Sequence, residues 1–179
     1  MAVLRKLFTA LLILPAALAV EQYLYVGTYK FSPPLPTTNT KLSLSACKNF
    51  VIGPESDGFP LTVPDYPAQR AAITSPERPG YLTLTGSSTP GLYDLKWAKD
   101  KRHAVKPEFF ATSCGCGGNC GGTCLVWDKD PTTDWVEFGA WVLDERVAGV
   151  DEWKVGWWNG TGVRPEGLTT IILWRSTFV

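Results

Sequence analysis

Residues 125–174 read LVWDKDPTTDWVEFGAWVLDERVAGVDEWKVGWWNGTGVRPEGLTTIILW. Seven of the chain's eight tryptophans lie here: Trp127, Trp135, Trp141, Trp153, Trp157, Trp158 and Trp174. They sit on short apolar segments separated by turn-forming runs at 128–133, 144–151 and 159–167. Trp153, Val155 and Trp157 fall on one face of an extended segment and Trp158 on the other, because side chains alternate across a strand. Period two in segments this rich in aromatic and β-branched residues predicts strands at 125–127, 135–143, 152–158 and 168–174. Immediately upstream stands Cys114-Gly-Cys116-Gly-Gly-Asn-Cys120-Gly-Gly-Thr-Cys124, a Cys/Gly knot.

Upstream of the knot the pattern is the same. Between Glu21 and Phe31, Leu24 and Val26 oppose Tyr23, Tyr25, Gly27, Tyr29 and Phe31, which predicts a first strand. The prolines at 33, 34 and 36 end it, since proline cannot donate to a sheet ladder. A second strand is expected over Lys41–Ile52 and a short edge strand over Phe59–Val63. Further strands are expected over Tyr81–Thr85 and Leu92–Trp97. Residues 53–79 are dense in proline, with at most one helical turn at Gln69–Thr74. No long stretch has 3.6-residue periodicity. The expectation is an all-β, single-domain antiparallel β-sandwich or barrel of about eight short strands, stapled by disulfides.

The first nineteen residues read as a secretory signal peptide. Arg5 and Lys6 form the basic start, an apolar run follows, and Ala17-Leu-Ala19 supplies a small-x-small cleavage site. The run is about 14 residues, short of the roughly 20 needed to span a bilayer. Residues 20–179 are then a single secreted β domain, extracellular and free of the membrane after cleavage. The leader carries off Arg5 and Lys6, leaving 15 basic against 17 acidic residues, a net charge of −2. A chain this near neutrality has no electrostatic footprint for nucleic acid.

Secretion governs how Cys47, Cys114, Cys116, Cys120 and Cys124 are read. An oxidising compartment favours disulfides, and the glycines permit the tight reversals that bridges require. Five is odd, so two bridges and one thiol are expected, with connectivity open. The alternative is extracellular metal binding by the same loop, since thiolates suit zinc or copper(I). Bridges are favoured, and neither a metal nor a cofactor is expected.

Catalytic signals are sparse. There is one histidine, His103, and no GxSxG near it. No GxGxxG, P-loop or HExxH occurs. Carboxylates cluster at Asp128, Asp130, Asp134 and Glu137, and again at Asp144, Glu145, Asp151 and Glu152. They read as solvated turn residues, with a carboxylate pair for glycan hydrolysis as the alternative. Lys101-Arg102 reads as part of a solvated loop, with proteolytic processing as the alternative. Asn159-Gly-Thr161 is a glycosylation sequon and a turn signal, both placing it at the surface. Most tryptophans must be core. An exposed set, with Trp153, Trp157 and Trp158 as candidates, would offer sugar-stacking faces.

The segments Trp153-x-Val155-x-Trp157-Trp158-Asn159-Gly160 and Ile171-Ile-Leu-Trp174-Arg175, with the opening Tyr23-Leu-Tyr25-Val, resemble a group of fungal small secreted proteins. The resemblance covers mainly the two ends of the chain. It departs at Gly156, where a cysteine is expected, in a longer final loop, and in the added Cys/Gly knot. The group has no established activity, so no site residue carries over. The expected function is non-catalytic surface binding, effector-like or directed at a cell-wall glycan or host protein. A small secreted glycan-active hydrolase is the second reading.

Overall fold

The computed structural model describes residues 22–28, 32–63, 72–99, 109–113, 122–127, 139–145 and 152–176, some of the strand residues by backbone alone. The leader, the knot cysteines 114, 116 and 120, Lys101-Arg102, His103, Trp135, and the carboxylates at 128, 130, 134, 137 and 151 lie outside the described residues.

The expected all-β, antiparallel architecture is what the described residues form, with no α-helix among them. The strands are β1 Leu24–Gly27, β2 Ser43–Leu44, β3 Phe50–Ile52, β4 Tyr81–Gly86, β5 Leu92–Ala98 and β6 Phe109–Ser113. β7 Gly122–Trp127, β8 Ala140–Asp144, β9 Trp153–Trp158, β10 Leu168–Thr170 and β11 Ile172–Ser176 complete the set. That is eleven among the described residues where about eight are expected: two predicted strands are each broken in two, β6 is unpredicted, and one predicted edge strand does not form.

The first break lies in Lys41–Ile52. Ser45 donates its N–H to the Asn49 carbonyl at 2.9 Å, and Lys48 takes a left-handed φ of 62°, turning the chain back as a β2–β3 hairpin. The second lies in Leu168–Trp174. β10 pairs with β8 and β11 pairs with β1 and β7, so the chain changes sheets at Ile171. Ile171 is fully buried at this corner, and its N–H donates to the Trp141 carbonyl at 2.9 Å. A strand that leaves one sheet for another in a single residue makes a corner between them. Phe59–Val63 forms no strand: Leu61 and Thr62 make isolated bridges to Gln22 and Thr74. Thr74 is thus extended rather than helical.

Two antiparallel sheets result. One has the order β1-β11-β7-β6. The other runs β10-β8-β9-β3-β2, and β5, with β4 beyond it, also joins β9. β9 is the hub of this second sheet. It pairs with β8 from Lys154 to Trp158 on one side. On the other it pairs with β3 through Trp153 and Lys154, and with β5 through Gly156 to Trp158.

The alternation predicted for β9 places the core. Val155 and Trp157 point inward with Trp141, Leu143, Leu95 and Ile52. From the other sheet Leu24, Val26, Leu125 and Leu173 enter the same cluster. Each buried aliphatic or aromatic side chain contributes about 1.5–3 kcal/mol, so this shared cluster is the main term holding the sheets together. Trp158 points the opposite way into a smaller cluster with Leu92, Val142 and Leu168. Arg175 is also drawn inward. It is 8% exposed and donates from Nη1 to the Val63 carbonyl at 3.0 Å and to Gln22 Oε1 at 3.2 Å. The C-terminal strand is thereby tied to the segment that crosses the end of the first sheet.

Candidate functional site

The tryptophans offered as ligand faces are not exposed. Trp157 is 3% and Trp158 7% exposed, and Trp153 packs against the main core. Trp157 is covered further by Gly139, where a Cβ would run into its indole. The expectation that Trp157 and Trp158 offer exposed faces is therefore corrected, while Trp153 is half-buried. A hub strand flanked on both edges, with a cluster on each face, buries Trp157 and Trp158.

Gly156 has a physical reason for not being the cysteine that the resemblance leads one to expect. A Cβ there would stand 2.6 Å from the Tyr93 carbonyl oxygen on β5. Bare backbone lets β5 join β9 where β3 leaves it.

Among the candidate bridge cysteines, Cys47 carries a free thiol in the exposed β2–β3 turn. Cys124, on β7, is disulfide-bonded. β6 and β7 pair antiparallel from Phe109↔Trp127 to Ser113↔Thr123, on either side of the knot cysteines 114, 116 and 120 in sequence. Glu145 is an exposed turn residue that accepts from the Thr169 hydroxyl at 2.7 Å. Asp144 is not a turn residue: it ends β8 and is 4% exposed.

The sequon lies where expected, in a surface turn after β9. Gly160 and Thr161 are exposed. Asn159 Oδ1 accepts from the Thr161 N–H at 3.0 Å and from its hydroxyl at 2.7 Å.

What sequence reasoning missed is an open groove of about 740 Å³ beside the β2–β3 hairpin. Its floor includes Ser43, Leu44, Val51 and Phe59. Its rim carries Glu55, Asp57, Glu77, Arg78 and Glu152, all exposed. Only Glu152 had been singled out, and nothing in the linear spacing of the others signals that they meet. The loop that forms one wall is well anchored. Phe59 donates its N–H to the Leu42 carbonyl at 2.9 Å, and Gly58 to Ser43 Oγ at 3.0 Å. Asn39 Nδ2 reaches the Ser56 carbonyl at 2.5 Å. The Phe59 ring wedges edge-on against Phe50 and Trp97, at 5.8 and 5.1 Å between centroids.

Among the described residues, none of the five charged groups on the rim makes an ion pair or a side-chain hydrogen bond. Nor do they converge on a point: no three metal-ligating side chains are grouped for a cation among the described residues. Elsewhere charges are committed, as where Asp94 lies 3.4 Å from Lys154 and 3.6 Å from Lys96.

The described residues thus form an antiparallel β fold with a polar, predominantly acidic surface groove. Comparison with family models, curated protein sequences and solved structures finds no match to this chain.

Proposed function

We propose that this is a secreted, non-catalytic protein that acts by surface binding, and that its groove takes a cell-wall glycan. The observation carrying this reading is the rim of uncommitted carboxylates and a guanidinium, of which Glu55 and Asp57 stand on an anchored loop. Such groups accept from and donate to sugar hydroxyls without first breaking internal contacts, so little reorganisation opposes binding. A host protein is the weaker choice, because the cores of protein interfaces are depleted in Asp and Glu. The leader-like first nineteen residues support export. In an oxidising compartment the knot would staple the β6–β7 hairpin, and the two sheets would pack face to face as a sandwich. The tryptophan-rich C-terminal block fits kinship with fungal small secreted proteins.

The test is retention of the purified protein on insoluble cell-wall polysaccharides, read against the double variant Asp57→Asn/Glu77→Gln. Retention of the native chain and weaker retention of the variant is the expected result. No retention on any polysaccharide would sink the proposal. A second reading, glycan hydrolysis, draws on four carboxylates fronting one groove. Reducing sugar released in the same assay, and lost in the variant, would put it first.

A further inference from the structure

Aromatic side chains lie against the far side of the groove's wall. A Cβ at Gly58 would stand 2.8 Å from Tyr23 Cδ1 and 3.2 Å from Lys41 Cδ. The wall there is bare backbone, in a left-handed conformation with φ of 88°, lying directly against those two side chains. Tyr23 opens a row on the outward face of the first sheet. Lys41 Nζ sits 5.0 Å from the Tyr23 ring centroid. Tyr25 follows two residues on, about 7 Å along the strand on the same face. Tyr25 in turn stacks on Trp174, with ring centroids 4.9 Å apart and planes at 25°. Both rings are half-buried. Among the described residues neither the Tyr25 hydroxyl nor the Trp174 Nε1–H has a hydrogen-bond partner.

We propose that the groove and this aromatic row form one extended site for a polysaccharide chain whose sugars carry free amino groups. The proposal rests on the reading of the groove as a glycan site and names the class of glycan. Two features carry it. The aromatic row supplies apolar ring surface with polar donors at its edge, the pairing that suits a sugar's mixed faces. It lies just across the Gly58 wall from the groove, so a ligand that reaches both is a chain. The rim sets the charge. Glu55, Asp57, Glu77 and Glu152 stand against Arg78 and, where the row begins, Lys41, a net of −2. A polyanionic glycan is repelled there, a neutral one leaves the charges uncompensated, and protonated amines compensate them. Each exposed pair contributes little alone, so the selection is collective and screened by salt.

The experiment measures binding of the intact secreted protein to a soluble oligomer of glucosamine, to its N-acetylated counterpart, and to oligogalacturonate, at low and high salt. The amine-bearing oligomer should bind at least tenfold tighter than the acetylated one at low salt. That gap should collapse at high salt, and the galacturonate oligomer should not bind. Glu77→Gln, an exposed change that leaves the fold alone, should weaken the amine form several-fold more than the acetylated form. Trp174→Ala should weaken both alike. Equal or tighter binding of the acetylated or acidic oligomer, or a preference insensitive to salt, overturns this inference while leaving a glycan site standing. A protein that binds none of the three oligomers, yet takes up a lysine-rich peptide in a salt-sensitive way, overturns it in favour of a protein partner.

Discussion

Trp141 donates its indole N–H to the Leu125 carbonyl at 2.7 Å, a buried hydrogen bond from β8 of one sheet to β7 of the other. The Trp141 ring meets Trp157 edge-on at 5.1 Å, so the same side chain also fixes the hub strand. Trp141→Phe keeps most of the apolar area and removes the donor. It should cost about 1–3 kcal/mol, the penalty for losing a buried partner. Chemical denaturation followed by fluorescence measures it, and an unchanged midpoint would show that the bond contributes nothing net.

Gly156 is where β5 and β3 divide β9 between them. Adding a methyl there pushes against the Tyr93 carbonyl, which is backbone and cannot swing away. Gly156→Ala should destabilise by about 1–3 kcal/mol, as overpacking does. Gly86→Ala is the control, since nothing lies within 4 Å of its Cβ position. It should shift the thermal midpoint little. Equal effects of the two substitutions would show that strand propensity, not the close approach, sets the cost.

The sequon predicts a modification that is simple to read. Secreted from a eukaryotic host, the chain should carry a glycan on Asn159, seen as a mass increment removed by a glycan amidase. Thr161→Ala should abolish the increment. An unmodified native chain would mean that this exposed turn is not used.

Thiol chemistry should separate Cys47 from Cys124. The Cys47 thiol is free and exposed, so an alkylating reagent should label it in the folded protein. Cys124 should react only after reduction and unfolding. Peptide mapping distinguishes them, and prior labelling at Cys124 would refute its bridge.

The strand content was legible from residue order because its signal is local. Alternation of Leu24 and Val26 against Tyr23 and Tyr25, and of Val155 and Trp157 against Trp158, reflects the pleat of a single strand. The all-β class and the surface turn at Asn159 follow from such local preferences. Breaks inside a strand were not legible. Ile171 looks like any residue in an apolar run, and only the pull of two sheets on either side makes it a corner. The same holds for the tryptophans: alternation assigns Trp157 and Trp158 to opposite faces, yet a second cluster formed with Leu92 and Leu168 decides that both are buried. The groove lay furthest from view. Glu55, Asp57, Glu77, Arg78 and Glu152 come together through pairing of β3 with β9 and a loop anchored to Leu42 and Ser43. Sequence determined how each segment prefers to lie. Tertiary structure alone decided which segments meet, because long-range pairing depends on register and burial that no single segment carries.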